Sequence, residues 1–260
     1  MTNAFESTKN LWNRCQNILP YEFHKNFVEG VSFCIQERNL RDDLISIGRV
    51  DIWEQWKRFA RPLIINRADK RYSPENYQQQ QEIEQNQRGI GWQTCLNNLL
   101  NVNKVPKNAK ILVVGGNNGL ELKNIRHRSI ICVDICEKAL DIGRNNQPYH
   151  QFQYGRIDHL PFPEDVFDVY ISLRTWCVAG VLADEALSEA QRVIKKDGTI
   201  IVSLPLSFPN HIPYKNRVLS NAIDNQIKPL AEWIKKLFSS RMNHTICRAE
   251  PEDYFIVGRT

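Results

Sequence analysis

The stretch KILVVGGNNGLEL, Lys110 to Leu122, contains an apolar run that leads into Gly115 and Gly116, two asparagines and Gly119. Glycine adopts a positive φ freely, and asparagine tolerates it better than most other residues. The pattern predicts a buried strand, a tight turn and the start of a helix. A nucleotide-like ligand often docks in such a turn.

The chain after residue 105 alternates between short apolar runs and helical or turn-like segments. This alternation is typical of a parallel sheet that is covered on both faces. A helix is predicted to stop at the sequence KKDG, residues 195–198, and the tail alternates as two antiparallel strands. The predicted strands are Ile111–Val114, Ser129–Val133, Val169–Leu173 and Thr199–Leu204, followed in the tail by Met242–Arg248 and Asp253–Gly258.

Residues 1–105 show apolar and aromatic residues at helical spacing and no strand-like alternation, which predicts an all-helical region. The polar, glutamine-rich residues 71–87 are either a linker or an exposed helix start. We therefore divide the chain into a helical cap, residues 1–105, and an α/β core, residues 106–260. The helical region carries an aromatic stripe that we interpret as helix core, made of Trp12, Phe23, Phe27, Trp53 and Trp56.

The composition of the 260 residues restricts the class of protein. The chain has no apolar run of about 18 residues and no apolar segment near its N-terminus, so we expect a cytoplasmic protein without a membrane span. The seven cysteines are scattered, which favours buried thiols over a metal site. The net charge of +5 is spread along the chain, a pattern that suits an anionic small substrate better than nucleic acid.

An acidic residue ends the second predicted strand, because the sequence IICVD closes on Asp134. At this position a carboxylate can accept hydrogen bonds from ribose hydroxyls, as in dinucleotide dehydrogenases and in methyltransferases. A dinucleotide motif, G-x-G-x-x-G read from Gly115, would need glycines at Asn117 and Leu120. The sequence therefore argues against a nicotinamide site.

Two longer stretches narrow the choice. GRIDHLPFPEDVFDVYISL, residues 155–173, and ALSEAQRVIKKDGTIIVSLP, residues 186–205, follow VVGGNNG and VDI in order. Together the four motifs resemble class I S-adenosylmethionine-dependent methyltransferases, and the chain is similar to the type 11 group. The resemblance implies a Rossmann-like sheet of seven strands whose last two form an antiparallel hairpin, with an N-terminal helical cap. In the family's numbering of strands, Val169–Leu173 belongs to the fourth strand and Thr199–Leu204 to the fifth.

The resemblance also implies residue roles toward S-adenosylmethionine. The turn would surround the methionine part, Asp134 would bind the ribose, and the loop after the third strand would reach the adenine. The end of the fourth strand would border the methyl group. The implied cofactor-binding residues are Gly115, Gly116, Asn117, Gly119, Asp134, Ile135, Ile157, Asp158, Ser172 and Leu173.

The sequence departs from the family pattern at three positions. Val113 stands where the family usually has an acid, two positions before the first glycine. Asn117 replaces the middle glycine of the turn, and Arg156 replaces the acid in the adenine loop. These departures leave open an alternative, a methyltransferase-fold protein that binds a partner without catalysis. Asp168, which opens the fourth strand, is interpreted as a residue that ties down backbone.

The acceptor site is expected at the ends of the fourth and fifth strands and under the helical cap. Arg174 could clamp a carboxylate with two parallel hydrogen bonds, and His211 is the candidate base for a hydroxyl acceptor. We expect O-methylation of a small specialised metabolite or of the carboxylate of a short peptide. The other predicted substrate-binding residues are Thr175, Trp176, Ser207 and Tyr214.

Overall fold

The computed structural model of the chain describes residues 37–58, 89–122, 125, 129–177, 181–205, 228–242, 244–250 and 253–260. Within these ranges, seven strands form one sheet. The strands are β1 (Lys110–Val114), β2 (Ser129–Asp134), β3 (Gln151–Tyr154), β4 (Phe167–Leu173), β5 (Ile194–Pro205), β6 (His244–Glu250) and β7 (Asp253–Arg259).

The order of strands in the sheet is β3-β2-β1-β4-β5-β7-β6. Strands β1 to β5 are parallel, and β7 runs antiparallel to both of its neighbours. The order reverses between β1 and β4, and ligands of open α/β sheets bind beyond the carboxyl ends of the strands at such a reversal. The predicted Rossmann-like sheet with a final antiparallel hairpin is confirmed.

Helices cover both faces of this sheet. On one face α5 and α6 pack through residues such as Leu187 and Phe238, and on the other face α3 and α4 pack through Leu99 and Leu140. No helix among the described residues is long and apolar enough to cross a bilayer. The helical segments are α1 (37–46), α2 (50–58), α3 (Gly89–Val102), α4 (Glu137–Asn146), α5 (Ala183–Val193) and α6 (Lys228–Arg241).

The first helix, α1, contacts the core near the carboxyl edge of the sheet. Arg41 Nη1 in α1 donates hydrogen bonds to both carboxylate oxygens of Asp184, at 2.7 and 2.6 Å. The Arg38 guanidinium lies 4.5 Å from the ring centroid of Trp233 in α6. Helix α5 runs back from the carboxyl end of β4 to the start of β5, so Asp184 in its first turn lies at the edge that carries the glycine-rich turn.

The aromatic stripe of the helical region is described in part. Trp53 and Trp56 are both 3% exposed, which confirms their interpretation as core residues. Trp56 Nε1 donates a hydrogen bond of 2.9 Å to Glu37 Oε1, so the second helix is tied to the first. Trp12, Phe23 and Phe27, and the glutamine-rich residues 71–87, lie outside the described residues.

Two predicted elements differ locally from the structure. The helix expected after the glycine-rich turn begins, in the described residues, as a 3-10 helix over Leu120–Leu122. The helix predicted over residues 183–194 is confirmed as α5 and ends one residue earlier, at Val193, because Ile194 already pairs with Phe167 in the sheet. The strand predicted from Thr199 therefore starts earlier and includes KKDG. Strand β5 is then irregular over KKDG, where Asp197 has a φ of 65°, before regular pairing resumes.

Candidate functional site

The glycine-rich turn, residues 115–119, has the backbone geometry that its sequence predicts. Gly115, Asn117 and Gly119 have φ values of 71°, 54° and 67°. The Gly115 N–H donates to the Val133 carbonyl at 2.8 Å, and the Asn117 N–H donates to Asp134 Oδ2 at 2.9 Å. The turn after β1 is therefore fastened to the end of β2.

Neighbouring side chains occupy the space where the glycines lack a β-carbon. A β-carbon on Gly115 would lie 2.1 Å from Thr175 Oγ1, and one on Gly119 would lie 3.0 Å from the Phe152 ring. Thr175 follows β4, so its side chain spans the gap between the ends of β1 and β4, where the strand order reverses. Packing inside the protein thus already requires glycine at both ends of the turn.

Asp134 stands at the carboxyl end of β2 with a half-buried side chain. Its Oδ2 accepts from the Asn117 N–H and its Oδ1 accepts from the Cys136 N–H, both at 2.9 Å. These two bonds fix the direction of the carboxylate. A carboxylate has about four acceptor sites, so a group held in this way can also accept hydrogen bonds from ribose hydroxyls.

The loop after β3 is organised by an internal ion pair. Arg156 donates two hydrogen bonds to Asp158, from Nε at 2.9 Å and from Nη2 at 2.5 Å. Between them Ile157 is 8% exposed and packs in the core. The arginine that replaces the family's acid is therefore the partner of the next carboxylate along the loop.

The end of β4 carries a residue in an unusual backbone conformation. Arg174 has a φ of 55°, which is uncommon for a residue other than glycine. Its N–H donates to the carbonyl of Ser203 at 3.0 Å and to the Ser203 hydroxyl at 3.2 Å. The bonds to β5 hold the half-buried Arg174 in this conformation.

The neighbours of Arg174 have structural contacts. Ser172 is fully buried and donates from Oγ to the Val114 carbonyl at 2.9 Å, which ties β4 to β1. Leu173 is half-buried and packs against the core on the α3 and α4 face.

Trp176 is fully buried in the core, with its ring centroid 5.8 Å from that of Phe238. Its position does not suit the predicted role in substrate binding, because an indole with no exposed surface cannot form part of the wall of an open pocket. Three more predicted residues, Ser207, His211 and Tyr214, lie outside the described residues.

Asp168 confirms the prediction that it ties down backbone. Its Oδ2 accepts from the Lys110 N–H at 2.7 Å, and its Oδ1 pairs with Lys195 Nζ at 2.7 Å. Burial raises the pKa of Asp168, but the hydrogen bonds from Lys195 and Lys110 outweigh burial and the pKa is lowered. Asp168 joins the starts of β1, β4 and β5, at the edge of the sheet opposite to the glycine-rich turn.

Two polar residues beside the turn have no signal in the sequence. Gln147 Nε2 donates to the Asn118 carbonyl at 3.1 Å and to the Gly119 carbonyl at 2.6 Å. His150 is 7% exposed, and its backbone N–H donates to the Gln147 carbonyl at 3.1 Å. A glutamine just after a helix is most often a surface residue, so only the fold reveals this contact.

Part of the chain matches a known protein family. Residues 112–202 match a family model described as a methyltransferase domain. The chain has a class I methyltransferase fold. No curated protein sequence matches the chain.

Solved structures share this fold at low sequence identity. A Methanococcus maripaludis protein assigned as an S-adenosyl-L-methionine-dependent methyltransferase is 13% identical, with a TM-score of 0.54 over 72% of this chain and 93% of that chain. A TehB-like S-adenosylmethionine-dependent methyltransferase from Corynebacterium glutamicum is 15% identical, with a TM-score of 0.47 over 72% and 96%. Identities this low show only the shared fold.

S-adenosylmethionine is the cofactor that the methyltransferase family implies. The residues at the end of β2 fit its adenosine part, because Asp134 is an oriented carboxylate that could accept from ribose hydroxyls and the half-buried, apolar Ile135 follows it. Among the described residues no group of histidines, cysteines or acids could hold a metal ion. Cys132, Cys136 and Cys177 are buried, as the cysteine pattern predicts.

Proposed function

We propose that this chain transfers the methyl group of S-adenosylmethionine to a carboxylate oxygen of a small specialised metabolite or short peptide. The observation that carries the acceptor class is Arg174, a cation at the carboxyl end of β4 with a φ of 55°. Such a conformation costs on the order of 1–3 kcal/mol and persists where the surroundings hold it. Conformations of this kind cluster at functional sites, and Arg174 directly follows β4, one of the two strands at the reversal of strand order.

The cofactor supplies an electrophilic methyl group when it is bound. The chain's own residues then have three tasks: Asp134 orients the ribose, the turn at 115–119 receives the methionine part, and Arg174 aligns the acceptor. The new bond joins the acceptor oxygen to the methyl carbon, and the bond from that carbon to sulfur breaks with its electron pair left on sulfur. Holding the reactants in line and close together supplies much of the rate enhancement.

No side chain has to remove a proton if the acceptor is a carboxylate, because a carboxyl group is already ionised at neutral pH.

Residues 1–105 act as the cap of the acceptor site in this proposal. The ion pair between Arg41 and Asp184 supports that role, since it attaches α1 to the edge of the sheet that carries the site. The carboxylate proposal also agrees with the net charge of +5.

The test is methyl transfer from S-adenosylmethionine labelled in its methyl group to panels of carboxylate, hydroxyl and amine acceptors. A methyl ester releases labelled methanol in alkali, whereas methyl ethers and methylamines keep the label. We expect an alkali-labile product, and a rate that stays nearly flat from about pH 6 to 9 when chemistry is limiting. An alkali-stable product would refute the carboxylate acceptor, and no transfer to any panel would favour the binding protein without catalysis.

The residue test is Arg174→Lys, which keeps the charge and loses the planar fork. The KM for the acceptor should rise while the affinity for S-adenosylhomocysteine stays unchanged. Arg49→Lys is the matched control, because Arg49 is exposed, lies just before α2 and pairs with Asp51 in that helix. If Arg174→Lys behaves like this control while His211→Ala costs about 10²-fold or more in rate, the acceptor is a hydroxyl.

A further inference from the structure

The glycine-rich turn accepts two hydrogen bonds from the side chain of Gln147, which directly follows α4. Gln147 is 5% exposed, and its Nε2 donates to the carbonyls of Asn118 and Gly119. Both neighbours of this amide nitrogen are carbonyl oxygens, which fixes the orientation of the side-chain amide, because only the NH2 end can donate. Gln147 therefore makes two directed contacts with the last two residues of the turn.

The backbone around Gln147 is held in place. Its N–H donates to the Gly143 carbonyl at 2.8 Å, and its carbonyl accepts from the His150 N–H at 3.1 Å. The backbone that carries the Gln147 side chain is therefore fixed on both sides of this residue.

The two carbonyls that Gln147 contacts come directly before the 3-10 helix over Leu120–Leu122. The Gly119 carbonyl also accepts from the Leu122 N–H at 2.9 Å, which is a bond of that helix. Gln147 therefore adds a donor from a distant part of the chain to the point where the turn passes into the helix.

We propose that Gln147 forms a turn clamp that holds residues 118 and 119 in the conformation that binds the cofactor. Gln147 is then a positioning residue, which acts on S-adenosylmethionine through the turn and not by contact. The identity of the ligand, S-adenosylmethionine, rests on the proposed function. The clamp itself rests only on the hydrogen bonds above.

The test compares Gln147→Met with Gln191→Met. Methionine keeps the length and packing of glutamine and removes the donor. Gln191 is the matched control, because its Nε2 also donates to a backbone carbonyl, that of Arg241 at 3.2 Å, but near the far end of α5. Two quantities are measured for each variant: the dissociation constant of S-adenosylhomocysteine, by calorimetry, and the hydrogen exchange of amides 115–122 without ligand.

We expect Gln147→Met to weaken S-adenosylhomocysteine binding about fivefold or more, the equivalent of one lost hydrogen bond, and to speed exchange in the turn. Gln191→Met should change neither quantity, even if it lowers the melting temperature equally. If Gln147→Met does not fold, Gln147→Leu replaces it, since leucine also lacks a donor and brings no charge into the buried position.

Each outcome has a separate meaning. Unchanged affinity and unchanged exchange in a Gln147 variant of lowered melting temperature would overturn the clamp and leave a structural role. If the unaltered chain binds no S-adenosylhomocysteine, the proposed function fails and the positioning role fails with it. Exchange in the unliganded chain still decides whether Gln147 holds the turn.

Discussion

The ion pair between Arg41 and Asp184 should contribute strongly to the attachment of the helical region to the core. The Arg41 side chain is 10% exposed and that of Asp184 is 25% exposed. Burial lowers the pKa of Arg41, but its hydrogen bonds to Asp184 and Asp42 outweigh burial, and the pKa is raised. The guanidinium therefore remains charged, and it needs its anionic partners.

We predict the effect of Asp184→Asn, which keeps the shape and removes the charge. Removal of one partner from a fully buried ion pair costs about 3–5 kcal/mol. Asp42 still accepts from Arg41 Nε and Nη2 at 2.9 and 2.8 Å, and Asp184 is partly exposed. The expected loss in the free energy of unfolding is therefore smaller, about 1–3 kcal/mol.

The assay is urea unfolding of a double-mutant cycle with Arg41→Met and Asp184→Asn. The interaction energy should be about 1 kcal/mol or more. Glu185→Gln is the matched control, because it removes the neighbouring acid from the same first turn of α5. An interaction energy near zero, or equal losses for Asp184→Asn and Glu185→Gln, would refute the attachment. If α1 completes the acceptor site, Asp184→Asn should also lower turnover at unchanged affinity for S-adenosylhomocysteine.

Two further predictions follow from buried groups beside the turn. Burial lowers the pKa of the His150 imidazole, so the unfolded chain binds a proton more readily. The free energy of unfolding should then fall as the pH drops below about 6.5, and His150→Asn should reduce this slope in urea titrations. Gly115→Ala should lower the free energy of unfolding by about 2 kcal/mol or more, since the position has a positive φ and a β-carbon would meet Thr175. Thermal melts that give a smaller loss would contradict the close contact between Gly115 and Thr175.

Local chemistry explains which features could be predicted from the sequence. Strand β1 is apolar after Lys110 and strand β4 is mainly apolar, and buried parallel strands have this composition. The turn was predictable because glycine and asparagine are the residues that accept a positive φ. Asp134 and Asp168 were predictable because each is an acid at one end of a buried strand.

Long-range contacts explain the rest. Strand β3, QFQY, has one buried residue in four, so it has no apolar run to mark it. The early start of β5 depends on pairing between Ile194 and Phe167, which are distant in sequence. The burial of Trp176 depends on Phe238, and the contacts of Gln147 span 28 and 29 residues. Local sequence patterns cannot supply such pairings.

The most direct test of the central claim is calorimetric titration of the chain and two aspartate variants with S-adenosylhomocysteine. The unaltered chain should bind it, and Asp134→Ala should weaken binding by about 1–3 kcal/mol, the usual cost of a lost charge-assisted hydrogen bond. Asp168→Ala is the control, because Asp168 also accepts from a backbone N–H but at the opposite edge of the sheet, and its affinity should stay unchanged. No binding by the unaltered chain, or full affinity in Asp134→Ala, would contradict the proposed cofactor site.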